Sequence, residues 1–142
     1  MIIVDANLLI YAVNGDDPSH AKAKTWLESV MRGTETVGFS WNVLLAFLRI
    51  TTRPGILHKQ LTVKQAFDLI DAWLASPVAV IANPGVRHRR TLRQLLVSRG
   101  TGGNLTSDAH LAALAIEYEA ELCTTDAGFA RFAGLRWFNP IK

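Results

Sequence analysis

The chain has 142 residues, 49% of them hydrophobic and 19% charged, a balance that fits a folded globular protein and excludes a disordered one. A single cysteine, Cys123, excludes an internal disulfide and a zinc cluster built on cysteines, and the net charge of +3 is only moderately basic. No apolar run is long enough to span a bilayer. The start MIIVDANLLIYAV lacks the basic flank and cleavage site of a signal peptide, so we expect a cytoplasmic protein with no membrane contact.

In chain order, Ile2-Ile3-Val4 predicts a short buried strand closed by Asp5. Asn7 is placed to cap a helix through Leu8, Leu9 and Tyr11. Asp16-Asp17-Pro18-Ser19 supplies turn and cap chemistry for a second helix, with Ala23, Trp26, Leu27 and Val30 at helical spacing and Gly33 at its end. A strand is expected at 36–39. Residues 41–50 then predict an almost wholly apolar helix, buried or at an interface, which Arg53-Pro54-Gly55 stops.

Thr62 and Gln65 form a capping box for a helix burying Val63, Phe67, Ile70 and Leu74. A strand at 78–81 precedes a basic helix at 86–97. No acidic residue stands between Asp71 and Asp108, whereas Arg87, Arg89, Arg90, Arg93 and Arg99 all fall there, a candidate footprint for a phosphate backbone. Thr106 or Ser107 is expected to cap the next helix, with Leu111, Leu114, Ala115 and Tyr118 on one face. Strands at 121–124 and 136–138 complete the pattern. Alternating strands and helices imply an α/β fold with a mainly parallel sheet. With no repeat, low-complexity tract or linker, we expect one domain over residues 1–142.

The candidate site is a set of three aspartates. Asp5 and Asp126 follow strands, and Asp108 opens a helix. In a parallel sheet the carboxyl ends of the strands share one edge, where α/β folds bind ligands. Each aspartate alone has an ordinary explanation as a helix cap, a dipole partner or a turn residue. Three carboxylates at one edge repel one another unless a cation lies between them, and a hard divalent cation takes oxygen ligands together with substrate phosphate. Glu117, Glu119 and Glu121 read as solvated. His20, His58, His88 and His110 show no zinc spacing, and Cys123 reads as a small buried hydrophobe.

Together these pieces resemble the PIN domain, in particular the toxin of a VapBC-type toxin–antitoxin pair. The resemblance rests on Ile3-Val4-Asp5-Ala6-Asn7, on Ser40 to Arg49, on Thr106-Ser107-Asp108-Ala109-His110 with the apolar residues that follow, on Thr124-Thr125-Asp126, and on the closing Phe129 to Pro140. It implies a three-layer α/β/α sandwich and Mg²⁺- or Mn²⁺-dependent cleavage of RNA. It also implies a homodimer and inhibition by a cognate antitoxin. Asp5, Asp108 and Asp126 match the family's acidic metal ligands. Asn7 and Thr125 match flanking polar positions that orient water. One departure stands out. The family often carries a glutamate about where Ala46 stands, and no acid lies anywhere in this helix. Asn42, one turn earlier, is then a candidate neutral ligand.

Other readings are open at this level. A hydrolase with an aspartate nucleophile usually shows a second aspartate two positions on, where this chain has Asn7. A receiver-type domain presents paired acids and a late lysine, and neither arrangement is here. An RNA- or protein-binding module with a weakened metal site draws its support from Ala46.

Overall fold

A computed structural model describes residues 1–142. The elements run β1 (Ile2–Val4), α1 (Ala6–Val13), α2 (His20–Met31), β2 (Val37–Phe39), α3 (Trp41–Thr52), α4 (Val63–Leu74), β3 (Ala79–Ile81), α5 (His88–Arg99), α6 (Thr106–Glu117), β4 (Glu121–Cys123) and β5 (Trp137–Phe138). Five strands, all parallel, make one sheet in the order β3-β2-β1-β4-β5. The chain steps outward from β1 to β2 to β3, then returns across the sheet to β4. Right-handed crossovers therefore put α1–α4 on one face and α5–α6 on the other. The observed packing agrees: α1 packs on α2 and α3, α3 on α4, and α5 on α6. This is the expected α/β/α sandwich.

β1 is central, and Ile3 and Val4 are fully buried, as an apolar run in a two-sided parallel sheet requires. Phe39 of β2 and Phe47 of α3 enclose the Trp73 ring of α4, at centroid distances of 6.3 and 5.0 Å. The order of strands reverses between β1 and β4. That makes the carboxyl ends of these two strands the topological switch point, where such sheets open a crevice.

Several local expectations change on assembly. Asp5, not Asn7, caps α1, because its Oδ1 accepts from the Ala6 N–H at 2.7 Å. The capping box of Thr62 and Gln65 is formed. However, Val63 and Phe67 of α4 stay exposed; Ala66 and Ile70 are its fully buried positions, with Leu69, Trp73 and Leu74 partly buried against the core. α5 begins at His88, two residues later than the periodicity suggests. The Glu117 carboxylate accepts from the Gly85 and Arg87 N–H groups and ties that stretch into a turn. The Glu117 side chain is consequently half-buried and engaged by backbone donors, not freely solvated. Neither Thr106 nor Ser107 caps α6. A 3₁₀ turn, Gly103–Leu105, runs straight into that helix, and its carbonyls serve the first N–H groups. Tyr118 lies past the end of α6, partly exposed, with its hydroxyl donating to the Asn83 carbonyl.

Candidate active site

The pairing of Val4 with Cys123 sets Asp5 beside Thr124 at the switch point, and the Asp5 N–H donates to the Cys123 carbonyl at 3.0 Å. One hydroxyl organises the crevice. The fully buried Thr124 donates its Oγ1 hydrogen to Asp5 Oδ2 at 2.7 Å. The same oxygen accepts from Asn7 Nδ2 at 3.1 Å and from the Asp126 N–H at 3.0 Å. Asn7 also donates to Asp5 Oδ2 at 3.2 Å, while its Oδ1 accepts from the Thr125 N–H at 3.4 Å. Asn7 therefore sits inside the carboxylate network, and Thr125 contributes its backbone.

Asp126 caps a 3₁₀ turn, Ala127–Arg131, by accepting from the Gly128 N–H at 2.8 Å. Asp108 stands in the first turn of α6 and accepts no hydrogen bond from any protein donor. Burial raises the Asp5 carboxyl above the usual carboxylate range. The Thr124 and Ala6 donors oppose that shift, and the charges of Asp108 and Asp126 add to it. Asp108 is raised by burial and by Asp126, against a lowering by Arg131. Asp5 and Asp108 line one cavity and Asp126 lies near enough for its charge to act on both, but the three side chains do not close into a ready-made three-acid metal cage. A donor set made only of oxygen, with one carboxylate unpartnered, fits a hard divalent cation of the Mg²⁺ or Mn²⁺ kind.

A cavity of about 280 Å³ opens in front of Asp5 and Asp108. Its far wall is α3, which contributes Asn42, Ala46 and Arg49, and Ser107 lies on the rim. Asn42 Oδ1 accepts from the Ser40 hydroxyl, so what Asn42 offers the cavity is its N–H₂ group.

Arg89, Arg90 and Arg93 project from α5 into solvent, outside this cavity, and none has a carboxylate partner. Arg87 is tied down instead, its Nη2 donating to the Glu117 carbonyl at 3.1 Å. Beside it His88 is buried, with Nε2 2.9 Å from His110 Nδ1. His110 is held below the usual histidine range by burial and by His88. The pair lies on the side of α6 away from Asp108, in keeping with a structural role. Cys123 is buried, and burial pushes its thiol well up.

Three residues of the site carry no signal that singles them out in the sequence. Thr124 differs from Thr125 only in which one the β1 register turns inward. Arg49 resembles an ordinary cation near a helix end. The guanidinium of Arg131 lies against Gly128: a Cβ built there would stand 2.8 Å from Arg131 Nη2 and 2.9 Å from Asp126 Oδ1. A larger residue there would displace the Arg131 guanidinium or the Asp126 carboxylate.

The chain matches the PIN domain family over residues 2–135. It is 46% identical to Ribonuclease VapC37 of Mycobacterium tuberculosis over 140 residues, covering 99% of this chain and 97% of that protein. It is 39% identical to Ribonuclease VapC33 of the same species over 142 residues, covering 100% and 99%. Among solved structures, it is similar in fold to VapBC2 from Rickettsia felis bound to a fragment of promoter DNA, with a TM-score of 0.71, 23% identity and 98% of each chain covered. The sarcin-ricin loop cleaving toxin VapC20 of Mycobacterium tuberculosis aligns with a TM-score of 0.68 at 19% identity, covering 96% of this chain and 99% of that one.

Proposed function

The chain belongs to the PIN-domain family, and from that premise we propose that it is a divalent-metal-dependent endoribonuclease acting as the toxin of a toxin–antitoxin pair. The observation that carries this reading is the convergence of Asp5, Asp108 and Asp126 at the switch-point crevice, with Asp108 left free of any protein donor. Two relatives that match nearly full length are named ribonucleases. VapC20, whose fold is similar, is described as cleaving the sarcin-ricin loop.

In this reading Asp5 and Asp108 hold Mg²⁺ or Mn²⁺, and Asp126 completes the site. The ion, when bound, supplies positive charge that polarises a phosphoryl oxygen and acidifies water. The protein's own part is to fix the carboxylates. Thr124 and Asn7 share Asp5 Oδ2, leaving the rest of that carboxylate to face the crevice. The same hydroxyl holds the Asp126 backbone. Asn7 and the 124–126 turn set the polar wall against which water is oriented. Arg89, Arg90 and Arg93 meet the RNA backbone at a distance from the cut, giving affinity with little sequence information. Their targets are single-stranded or looped RNA, whose base edges are open to reading.

The partner is a cognate antitoxin. Trp41 and Leu45 on α3 are 48% and 55% exposed, and Leu45 also lines the cavity, so an apolar surface runs up to the site. A guanidinium delivered there would take the cation's place opposite the carboxylates. The same surface suits a homodimer. No helix is long and apolar enough to cross a membrane, and we assign the protein to the cytoplasm, where its RNA substrate lies.

The test is cleavage of a mixed RNA pool by antitoxin-free protein with Mg²⁺, with Mn²⁺ and with EDTA, beside Asp108→Asn and Asp5→Asn. Cutting that needs the metal and both aspartates is the expected result. Folded protein that cuts under no metal overturns it and favours the binding-module reading, for which the lack of any acid on α3 is the specific support.

A further inference from the structure

The cavity before Asp5 and Asp108 has two unlike walls. One is acidic. The other, α3, carries no acid and presents Asn42, Ala46 and Arg49, spaced four and three residues apart along one helix face. Asn42 lines this cavity, its Oδ1 accepts from the Ser40 hydroxyl, and its N–H₂ group has no protein acceptor. Arg49 makes no ion pair with any carboxylate and no hydrogen bond to any protein acceptor. Its charge is therefore uncompensated, beside a space lined by two carboxylates that it does not reach. An exposed lysine or arginine without a partner is common and needs no explanation. An unpartnered guanidinium on the wall of an acidic cavity, beside an amide with its donors free, is a site for an anion.

We propose that Arg49, assisted by Asn42, is a phosphate-binding residue of the active site: its guanidinium takes the scissile phosphodiester from the side opposite Asp5 and Asp108. This rests on the ribonuclease reading and adds a specific architecture to it. A guanidinium on α3 neutralises phosphate charge where a carboxylate at position 46 would instead recruit a second cation. The chain accordingly keeps one resident divalent ion. Guanidinium geometry suits two phosphate oxygens at once, which an ammonium cannot match. Arg49 is a single turn past Ala46, so the two positions address the same space with opposite charge requirements.

Four proteins and a control decide this: wild type, Arg49→Ala, Arg49→Lys, Ala46→Glu and, on the exposed part of α2, Lys22→Ala. Affinity for a fluorescent single-stranded RNA is measured by anisotropy in Ca²⁺, which occupies hard-oxygen sites. Arg49→Ala is expected to bind roughly tenfold more weakly, with a salt slope lower by about 0.7–1, and Lys22→Ala as wild type. Under Mg²⁺, kcat/KM for Arg49→Ala should fall by about 10²–10³, the scale for losing one preorganised donor at a developing charge. Arg49→Lys should recover only part of that.

Titration of Mn²⁺ by calorimetry without RNA should give one ion per chain in wild type and in Arg49→Ala, and two in Ala46→Glu. Arg49→Ala within twofold of wild type in both RNA binding and cleavage overturns the proposal, as does wild type binding two ions. If wild type cuts nothing under any metal, the ribonuclease reading fails by itself. The binding arm still decides the contact in that event: a tenfold loss in Arg49→Ala sustains it, and unchanged binding overturns it.

Discussion

Thr124→Val tests the central hydrogen-bond network, because valine keeps the shape of threonine and removes only the hydroxyl. Three bonds disappear together: to Asp5 Oδ2 at 2.7 Å, from Asn7 Nδ2 at 3.1 Å and from the Asp126 N–H at 3.0 Å. A hydrogen bond to a charged acceptor contributes about 1.5–3 kcal/mol, and a buried donor left unpaired costs about 1–3 kcal/mol. Asn7 keeps its second contact with Asp5 Oδ2, and the exposed Asp126 backbone regains water, so the terms do not simply add. A loss of about 3 kcal/mol near neutral pH follows, equivalent to a fall in Tm of about 10 °C for a domain of this size.

Urea unfolding followed by tryptophan fluorescence reads it, since Trp73 packs between Phe39 and Phe47 in the core. The midpoint should move with the slope unchanged. The hydroxyl stabilises the ionised form of Asp5, whose folded pKa is already raised. Without the hydroxyl Asp5 is raised further, so the Thr124→Val deficit is full above the variant's higher folded pKa and shrinks as pH falls from there toward the wild-type one, where a protonated Asp5 needs no donor. Thr124→Ser keeps the hydroxyl and loses one buried methyl, about 1 kcal/mol. Serine falling as far as valine, or a valine deficit that does not change with pH, would refute the network argument.

Asp108→Asn should stabilise the metal-free protein slightly near pH 7, since solvent screens much of the charge on this half-exposed carboxylate, and the Tm should rise rather than fall. The sign follows from the raised folded pKa: Asp108 favours folding in its protonated form, and that contribution is lost as pH rises through its folded value. Mn²⁺ should raise the Tm of wild type and leave this variant nearly unmoved, in differential scanning fluorimetry. Glu117→Ala removes the acceptor of the Gly85 and Arg87 N–H groups and should cost about 2 kcal/mol, with amide exchange accelerated first at the start of α5. Charge removal at Arg89, Arg90 and Arg93 should weaken RNA binding alike across sequences and lower the salt slope by about 0.7–1 per arginine. A loss confined to one RNA sequence would place these residues at base edges instead.

The fold was legible where local signals agreed with burial on both sides. Ile2-Ile3-Val4 has no polar position because β1 is covered on both faces, and Thr62 with Gln65 closes its box within four residues. Signals failed where the partner was distant. The phase of α4 suggests that Val63 and Phe67 are buried, yet nothing packs over the start of that helix. The start of α5 is set by a carboxylate thirty or more residues away, so periodicity misplaces it. In the site, the aspartates stood out because carboxylates after strands are chemically conspicuous. Thr124 did not, because a Thr-Thr pair gives no clue to which hydroxyl turns inward, and a shift of one residue exchanges the faces of a strand. The pairing of Cys123 with Val4 decides it. Arg49 needed the packing of α3 across from α6 before its charge acquired a context.

The position of the cations then explains how an acidic crevice survives in a protein of net charge +3. Asp108 and Asp126 raise the proton affinity of Asp5, and Asp126 raises that of Asp108, so positive charge brought to the crevice stabilises the fold. The chain's own arginines are near enough to help: Arg131 lowers Asp108, and Arg49 shares its cavity. Yet no ion pair forms between either arginine and any of the three aspartates. Direct contact would relieve the repulsion and fill the site with the protein's own side chain, leaving nothing for a ligand to gain. Kept at the rim, these guanidinium groups leave the repulsion in place. Any cation that enters then stabilises the fold by an amount set by its concentration and affinity, about 2.7 kcal/mol at one hundred times its Kd. A metal ion and an arginine from a partner protein draw on that same unrelieved charge. They should therefore exclude each other, and the affinity of an antitoxin that uses such an arginine should fall as Mn²⁺ rises.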